Sequence, residues 1–363
     1  MRYKRVVVAD GERGTLRAAL LKWFKKAARD LPWRRTRDPY AIWVSEVMLQ
    51  QTRVDTVLRY YDRFLEKFPT THALASAAQD DVMAAWSGLG YYRRARLLHA
   101  GVREVVARYE GMVPREPEAR RALPGVGRYT AGAIGSIAFD AQEPIVDGNV
   151  ARVLCRLHAI DTAPEDKRTQ AFLWTEAEAL AQGKEPGALN QALMELGATV
   201  CTKGAPLCAS CPVQRFCDAY AQGRVAEIPR AKTRTAPKRW QLVALVATAG
   251  SAPKVLLTRG DGSLFGGLWN LPMLDGHGLA DARTLAEQLG AELQGSRPLS
   301  TVKHVLSHRA IELQLWSASA AGAPDTEARR LVTPSGLSAL GISQLTRKAL
   351  TAAGLSAAAD RAP

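Results

Sequence analysis

The chain changes its hydrophobic period once. In the first half, apolar residues recur three and four positions apart: Leu16, Leu20, Trp23, Phe24 and Ala27 share one stripe, and Val54, Val57, Leu58, Tyr61, Leu65 and Phe68 another. That period predicts helices over 15–28, 40–50, 53–68, 72–86, 93–109, 116–122, 128–139, 148–159, 168–181 and 186–199. Prolines 32 and 39 break the run after the first helix. Nothing between 15 and 220 alternates as a strand does, so this half is all-α. Residues 223–239 carry two prolines and six basic residues against one acid, the composition of a linker. Beyond it the period shortens. Leu242–Thr248 and Val255–Thr258 read as strands paired around Gly250–Pro253. Ala280–Gly290 reads as a helix, and Ala310–Ser317 alternates Ile311, Leu313 and Leu315 against Glu312, Gln314 and Trp316. A helix over 334–353 closes an α+β domain.

The expected division is therefore a flexible tail over 1–14, an all-α region over 15–222, the linker 223–239, a second domain over 240–355 and a tail over 356–363. Its 363 residues suit roughly two or three domains. No apolar run approaches the ~20 residues of a membrane span, and the N-terminus lacks the core of a secretory signal. A net charge of +14 points to a polyanionic partner.

Four of the five cysteines fall in one loop, Cys201-x6-Cys208-x2-Cys211-x5-Cys217, and Cys155 sits alone in an apolar run. An odd count and tight clustering argue for a metal centre in a reducing compartment rather than a disulfide framework. Only one pair is as short as zinc motifs favour, so the spacing points to an iron–sulfur cluster over structural zinc.

Leu123 to Asn149 carries the densest chemistry. Gly125 and Gly127, around Val126, form a glycine turn before a helix start, where backbone N–H groups and the helix dipole suit a phosphate; Arg128 follows. Asp147, before Gly148-Asn149, is a helix N-cap by pattern and also a carboxylate facing that turn. Glu46 has the helical neighbours Ile42, Trp43, Leu49 and Gln50, a mostly apolar face that raises a carboxyl pKa and suits a general acid. A bond to Arg34 or Arg37 is the competing reading. Two carboxylates in unlike environments fit hydrolysis of a glycosidic bond. Trp33, Tyr91, Tyr92 and Tyr129, near glycines or basic residues, are candidates for stacking on bases or for core packing.

The cysteine loop, Leu-Pro-Gly-Val-Gly at 123–127 and Val-Asp-Gly-Asn-Val at 146–150 together resemble the helix–hairpin–helix DNA glycosylases related to endonuclease III. Leu-Pro-Trp-Arg at 31–34 and Val-Ser-Glu-Val-Met-Leu-Gln-Gln-Thr at 44–52 narrow this to the adenine DNA glycosylase (MutY) branch. The resemblance covers roughly 15–220. It implies a six-helix module at about 36–137, a cluster module from 15–35 plus 138–222, and one [4Fe-4S] cluster on Cys201, Cys208, Cys211 and Cys217. Where the endonuclease III branch has a Schiff-base lysine, this chain has Tyr129, which implies base hydrolysis without lysine-dependent strand cutting. It further implies that Glu46 protonates a flipped adenine and Asp147 stabilises the oxocarbenium ion, supported by Tyr129 and Asn149. Arg34, Leu49 and Gln51 match positions around the adenine, and Tyr91 matches a wedge beside the mispaired purine.

Residues 265–272 resemble the MutT-like (Nudix-fold) module that reads 8-oxoguanine. Residues 283–290 of the following helix keep one acid, Glu287, too few for pyrophosphate hydrolysis. Leu306-Ser307-His308 matches the lesion-sensing loop with a leucine in place of its aromatic, which leaves Ser307 and His308 as the reading residues. The expected partner is double-stranded DNA containing adenine opposite 8-oxoguanine or guanine, bound by a cytoplasmic, nucleoid-associated monomer. Two alternatives stand beside this: an endonuclease III-like glycosylase/lyase for oxidised pyrimidines, and a non-catalytic iron–sulfur DNA-binding protein.

Overall fold

The computed structural model describes residues 10–230, 236–250, 254–260, 265–306, 308–320 and 326–355. The helices are α1 (Asp10–Ala27), α2 (Pro39–Leu49), α3 (Val54–Lys67), α4 (Thr71–Ser76), α5 (Gln79–Ala85), α6 (Arg93–Tyr109), α7 (Pro117–Ala122), α8 (Arg128–Phe139), α9 (Gly148–Leu157), α10 (Lys167–Ala181), α11 (Pro186–Thr199) and α12 (Asp218–Ala221). Then come β1 (Lys238–Ala249), β2 (Lys254–Arg259), β3 (Trp269–Asn270), β4 (Met273–Asp275), α13 (Leu279–Leu289), β5 (Glu292–Gln294), β6 (Ser300–Val305), β7 (Arg309–Ser319), β8 (Arg329–Val332) and α14 (Gln344–Ala352).

Two compact units result. One joins Met1–Ala75 to Ala100–Thr233; the other joins Ser76–His99 to Arg234–Pro363. The segment 76–99, read with the first half, thus groups with the sheet.

In the first unit, Leu16 and Leu20 of α1 pack with Val150, Val153 and Leu154 of α9, Leu173 and Leu180 of α10, and Leu189, Leu193 and Leu196 of α11. Cys155 lies in this core, fully buried, as a small hydrophobe should. Ile42 of α2 meets Ala133 and Ile137 of α8 in a second cluster. Small residues let these backbones close in: a Cβ on Gly132 would stand 2.3 Å from the Pro144 carbonyl oxygen.

In the second unit, β1 and β7 run parallel from Lys238–Arg309 to Thr248–Ser319, and β2, β4, β5, β6 and β8 join antiparallel. Ile311, Leu313 and Leu315 face one core beneath α14. The other face is also covered: α13 lays Leu285 and Ala286 against Trp316, which is buried rather than solvent-facing as its alternation suggests.

Three boundaries differ from the pattern. The first helix starts at Asp10 rather than 15, taking residues 10–14 out of the expected tail, while 1–9 and 356–363 lie outside the described residues. Residues 72–86 split into α4 and α5. The final stretch is a 3-10 turn over Pro334–Ala339, then α14, because Ile342 bridges Trp269 and Ser343 caps a fresh helix. Among the described residues, no helix is long and apolar enough to cross a membrane.

Candidate active site

Asp38 caps α2 by accepting from the Tyr40 and Ala41 amides, with Pro39 in the first turn. This sets Ile42, Ser45, Glu46 and Leu49 along one wall of a cavity of about 730 Å3. The segment before α2, the turn after it, the glycine turn, α8, the start of α9 and α11 supply the rest, so Arg34, Glu46, Leu49, Gln51, Gly125, Gly127, Tyr129, Asp147 and Asn149 converge on one space. No lysine lines it.

Glu46 is 4% exposed, and its Oε2 accepts the Tyr129 hydroxyl proton at 2.6 Å. Neither rival arginine binds it: Arg34 donates to Glu195, and Arg37 to the Ile137 carbonyl. Burial pushes the Glu46 carboxyl up to about 7; the Tyr129 bond and the Arg34 charge oppose the rise, and nearby Asp147 adds to it. Burial and the same carboxylates hold the Tyr129 phenol well above its ordinary range.

Asp147 does cap α9, accepting from the Val150 amide at 2.7 Å, while the Asn149 side-chain amide donates to its other oxygen at 3.0 Å. Burial raises its pKa, opposed by those hydrogen bonds and by Arg152. Capping and facing the cavity therefore coexist in one side chain. Arg152 in turn donates to Asn149 Oδ1 at 2.8 Å and to the carbonyls of Gly197 and Cys201 at 2.7 and 2.8 Å.

In the turn, Gly125 takes φ +77°, which favours glycine, whereas Gly127 is extended as the N-cap of α8. Positive φ is thus needed at one of the two glycines only. Val126 is buried, and its amide bonds the Leu123 carbonyl. Arg128 stacks 3.9 Å over the Trp174 ring. Gln51 is exposed at φ +57°. Trp33 is buried edge-on against Tyr61 and also lines the cavity.

Sequence reasoning missed Arg29, Gln191, Met194 and Glu195, which share the cavity wall. Glu195 is 1% exposed and accepts from Arg29 Nε at 2.8 Å and Arg34 at 2.7 Å. Burial alone would raise this carboxyl, but the two guanidiniums hold it at about 2. The signal was available: the one charge on the helix α11, with Gln191, Ala192, Ala198 and Thr199 as its neighbours one turn away.

The four clustered cysteines line one small cavity with Arg156, whose guanidinium donates to Cys201 Sγ at 3.2 Å. Burial, with mutual repulsion, pushes the Cys211 thiol up to about 11 and raises Cys217. At Cys211 and Cys217 burial thus favours the thiol until a cation draws the sulfurs together. Among the described residues, no three His, Cys, Asp or Glu side chains are placed to hold a single metal ion.

The remaining expected residues belong to the second unit. Tyr91 is half exposed at φ +46°. His308 is exposed beside the β6–β7 hairpin, and Leu306 packs partly on the core. Ser307 lies outside the described residues.

Residues 44–179 match the family model for the HhH-GPD superfamily of base excision DNA repair proteins, and 243–352 match that of the NUDIX domain. The chain is 40% identical to the adenine DNA glycosylase of Rattus norvegicus over 84% of its own length and 70% of the relative's. It is 52% identical to that of Homo sapiens over 56% of its length and 39% of the relative's. A solved thermostable thymine-DNA glycosylase superposes with a TM-score of 0.54 at 30% identity, over 59% of this chain and 98% of that one.

Proposed function

The chain belongs to the adenine DNA glycosylases of base excision repair, and from that premise we propose that it hydrolyses the N-glycosidic bond of adenine mispaired with 8-oxoguanine or guanine. The observation that carries the chemistry is the pairing of Glu46, part-protonated near pH 7, with a second carboxylate, Asp147, in one cavity large enough for a base.

The flipped adenine enters this cavity. Glu46, part-protonated at neutral pH, gives its proton to N7, and the purine leaves uncharged. Asp147, ionised and held by the Val150 amide and Asn149, faces the sugar and stabilises the oxocarbenium ion. Glu46, now a carboxylate, takes a proton from the attacking water. Tyr129 holds Glu46 through its hydroxyl and offers no amine for a Schiff base; with no lysine on the wall among the described residues, this supports hydrolysis alone. Gly125 and Gly127 present the turn to the DNA backbone, and Leu49, Gln51 and Arg34 border the base. His308, with Ser307, reads the opposite purine from the Nudix-like unit.

Cys201, Cys208, Cys211 and Cys217 hold one [4Fe-4S] cluster in this reading. An all-thiol donor set around one cavity supports it. When bound, the cluster supplies structural closure of the 201–217 loop, which Arg156 reinforces.

A labelled duplex with adenine opposite 8-oxoguanine, followed by alkali, tests this. Release of adenine is expected without strand cutting before alkali. A borohydride-trapped enzyme–DNA adduct lost with one lysine would instead support the glycosylase/lyase, and duplex binding with no base release the non-catalytic reading.

A further inference from the structure

The turn Gly88-Leu89-Gly90-Tyr91 is unusually constrained. Gly88 and Gly90 take φ +105° and +73°, and Tyr91 follows at +46°, a region that an L side chain keeps only where its surroundings force it. Within the turn, the buried Trp86 indole donates to the Gly90 carbonyl at 3.2 Å. Arg94 donates to the same oxygen at 3.1 Å and lies 5.5 Å from both the Trp86 and Tyr91 ring centres.

What fixes the turn from outside comes from residues far along the chain in the same compact unit. The Tyr92 hydroxyl accepts from the Gly88 amide at 3.2 Å and donates to the Ile342 carbonyl at 3.1 Å, buried. Arg347 on α14 donates to Ser87 Oγ at 2.7 Å, and Arg96 to the Gly266 carbonyl. Asp80 accepts from Arg259 at 2.5 Å and stands 3.5 Å from Arg330; both arginines flank the Trp269 ring. Gly341 abuts Met83 so closely that a Cβ would fall 2.5 Å from the Met83 Cβ.

We propose that residues 79–96 form one mechanical body with the Nudix-like sheet, and that Tyr92, Arg96 and Arg347 are positioning residues setting where Tyr91 meets the base opposite the adenine. Tyr91 and His308 then address the duplex from a single scaffold, so reading the opposite base and wedging beside it are geometrically linked. The second part rests on the proposed mismatch-specific activity; the first does not.

Hydrogen exchange on the full chain in rising denaturant tests the first part without DNA. Amides of 79–96 are expected to open together with those of β1 and β7. Opening with α8 and α9 instead overturns the shared body. For the second part, single-turnover adenine release is compared between duplexes with 8-oxoguanine and with guanine opposite. Tyr92→Phe and Arg347→Ala are expected to move the ratio of the two rates toward that of Tyr91→Ala, on the order of tenfold for one lost hydrogen bond. Arg347→Lys should recover part of it. A merely destabilised protein loses both rates equally and keeps the ratio. A ratio that stays put in both variants while Tyr91→Ala changes it overturns the positioning role. No adenine release by the unmodified chain defeats the functional reading and leaves the exchange result standing.

Discussion

The Tyr129 hydroxyl donates to Glu46 Oε2 at 2.6 Å, joining side chains 83 residues apart. The bond stabilises the ionised carboxyl, yet burial outweighs it and leaves Glu46 at about 7. The acid is thereby held near the pH at which it can both give and recover a proton.

Replacing Glu46 by Gln should abolish adenine release and spare duplex binding. It should also stabilise the fold. A carboxyl raised from 4.5 to about 7 binds its proton more tightly folded than unfolded, so its ionisation destabilises the protein as pH rises through that window. Above pH 7 the cost is on the order of 3 kcal/mol, which the neutral amide avoids. Thermal unfolding at pH 6 and pH 8 checks this; a variant less stable than the parent at pH 8 would count against the assigned pKa.

The pH–rate profile should be bell-shaped. Base release needs Asp147 ionised and Glu46 protonated, so activity rises as pH climbs past a limb above the ordinary aspartate range and falls through about 7. Tyr129→Phe removes the bond that lowers the Glu46 pKa, and the upper limb should move to higher pH. Movement to lower pH would refute that role for the phenol.

Gly197 on α11 has no room for a side chain: a Cβ would lie 2.6 Å from the Asn149 Cβ and 2.9 Å from its carbonyl oxygen. Gly197→Ala should push Asn149 from Asp147 and cost roughly 1–3 kcal/mol of stability. kcat should fall more than KM changes. Full single-turnover activity in the folded variant would show that the Asn149 position is not needed.

The purified protein should contain iron and acid-labile sulfide in equal amounts, and Cys211→Ala should lose both together with thermal stability. Zinc in their place, by elemental analysis, would overturn the cluster assignment. Arg152 ties the Cys201 carbonyl to Asn149, so iron loss should also lower base release.

Much of the site was legible because its signals are local. The cysteine spacing, the glycine turn and the Asp147 cap each lie within a few residues, and helical periodicity alone put Glu46 on an apolar face. Side-chain partners across the chain were not legible. Glu195 binds Arg29 from 166 residues away, and this pairing decides that Arg34 answers Glu195 instead of Glu46. Trp316 alternates with the polar face of β7 but is buried because α13 packs over it. Periodicity read helices over 72–86 and 93–109, of which the first splits in two, yet could not say which core they join. Local sequence determines which conformation a segment takes and what chemistry it carries. Which segments share a core depends on long-range burial and on hydrogen bonds such as Tyr92 to Ile342, which exist only once the chain has closed on itself.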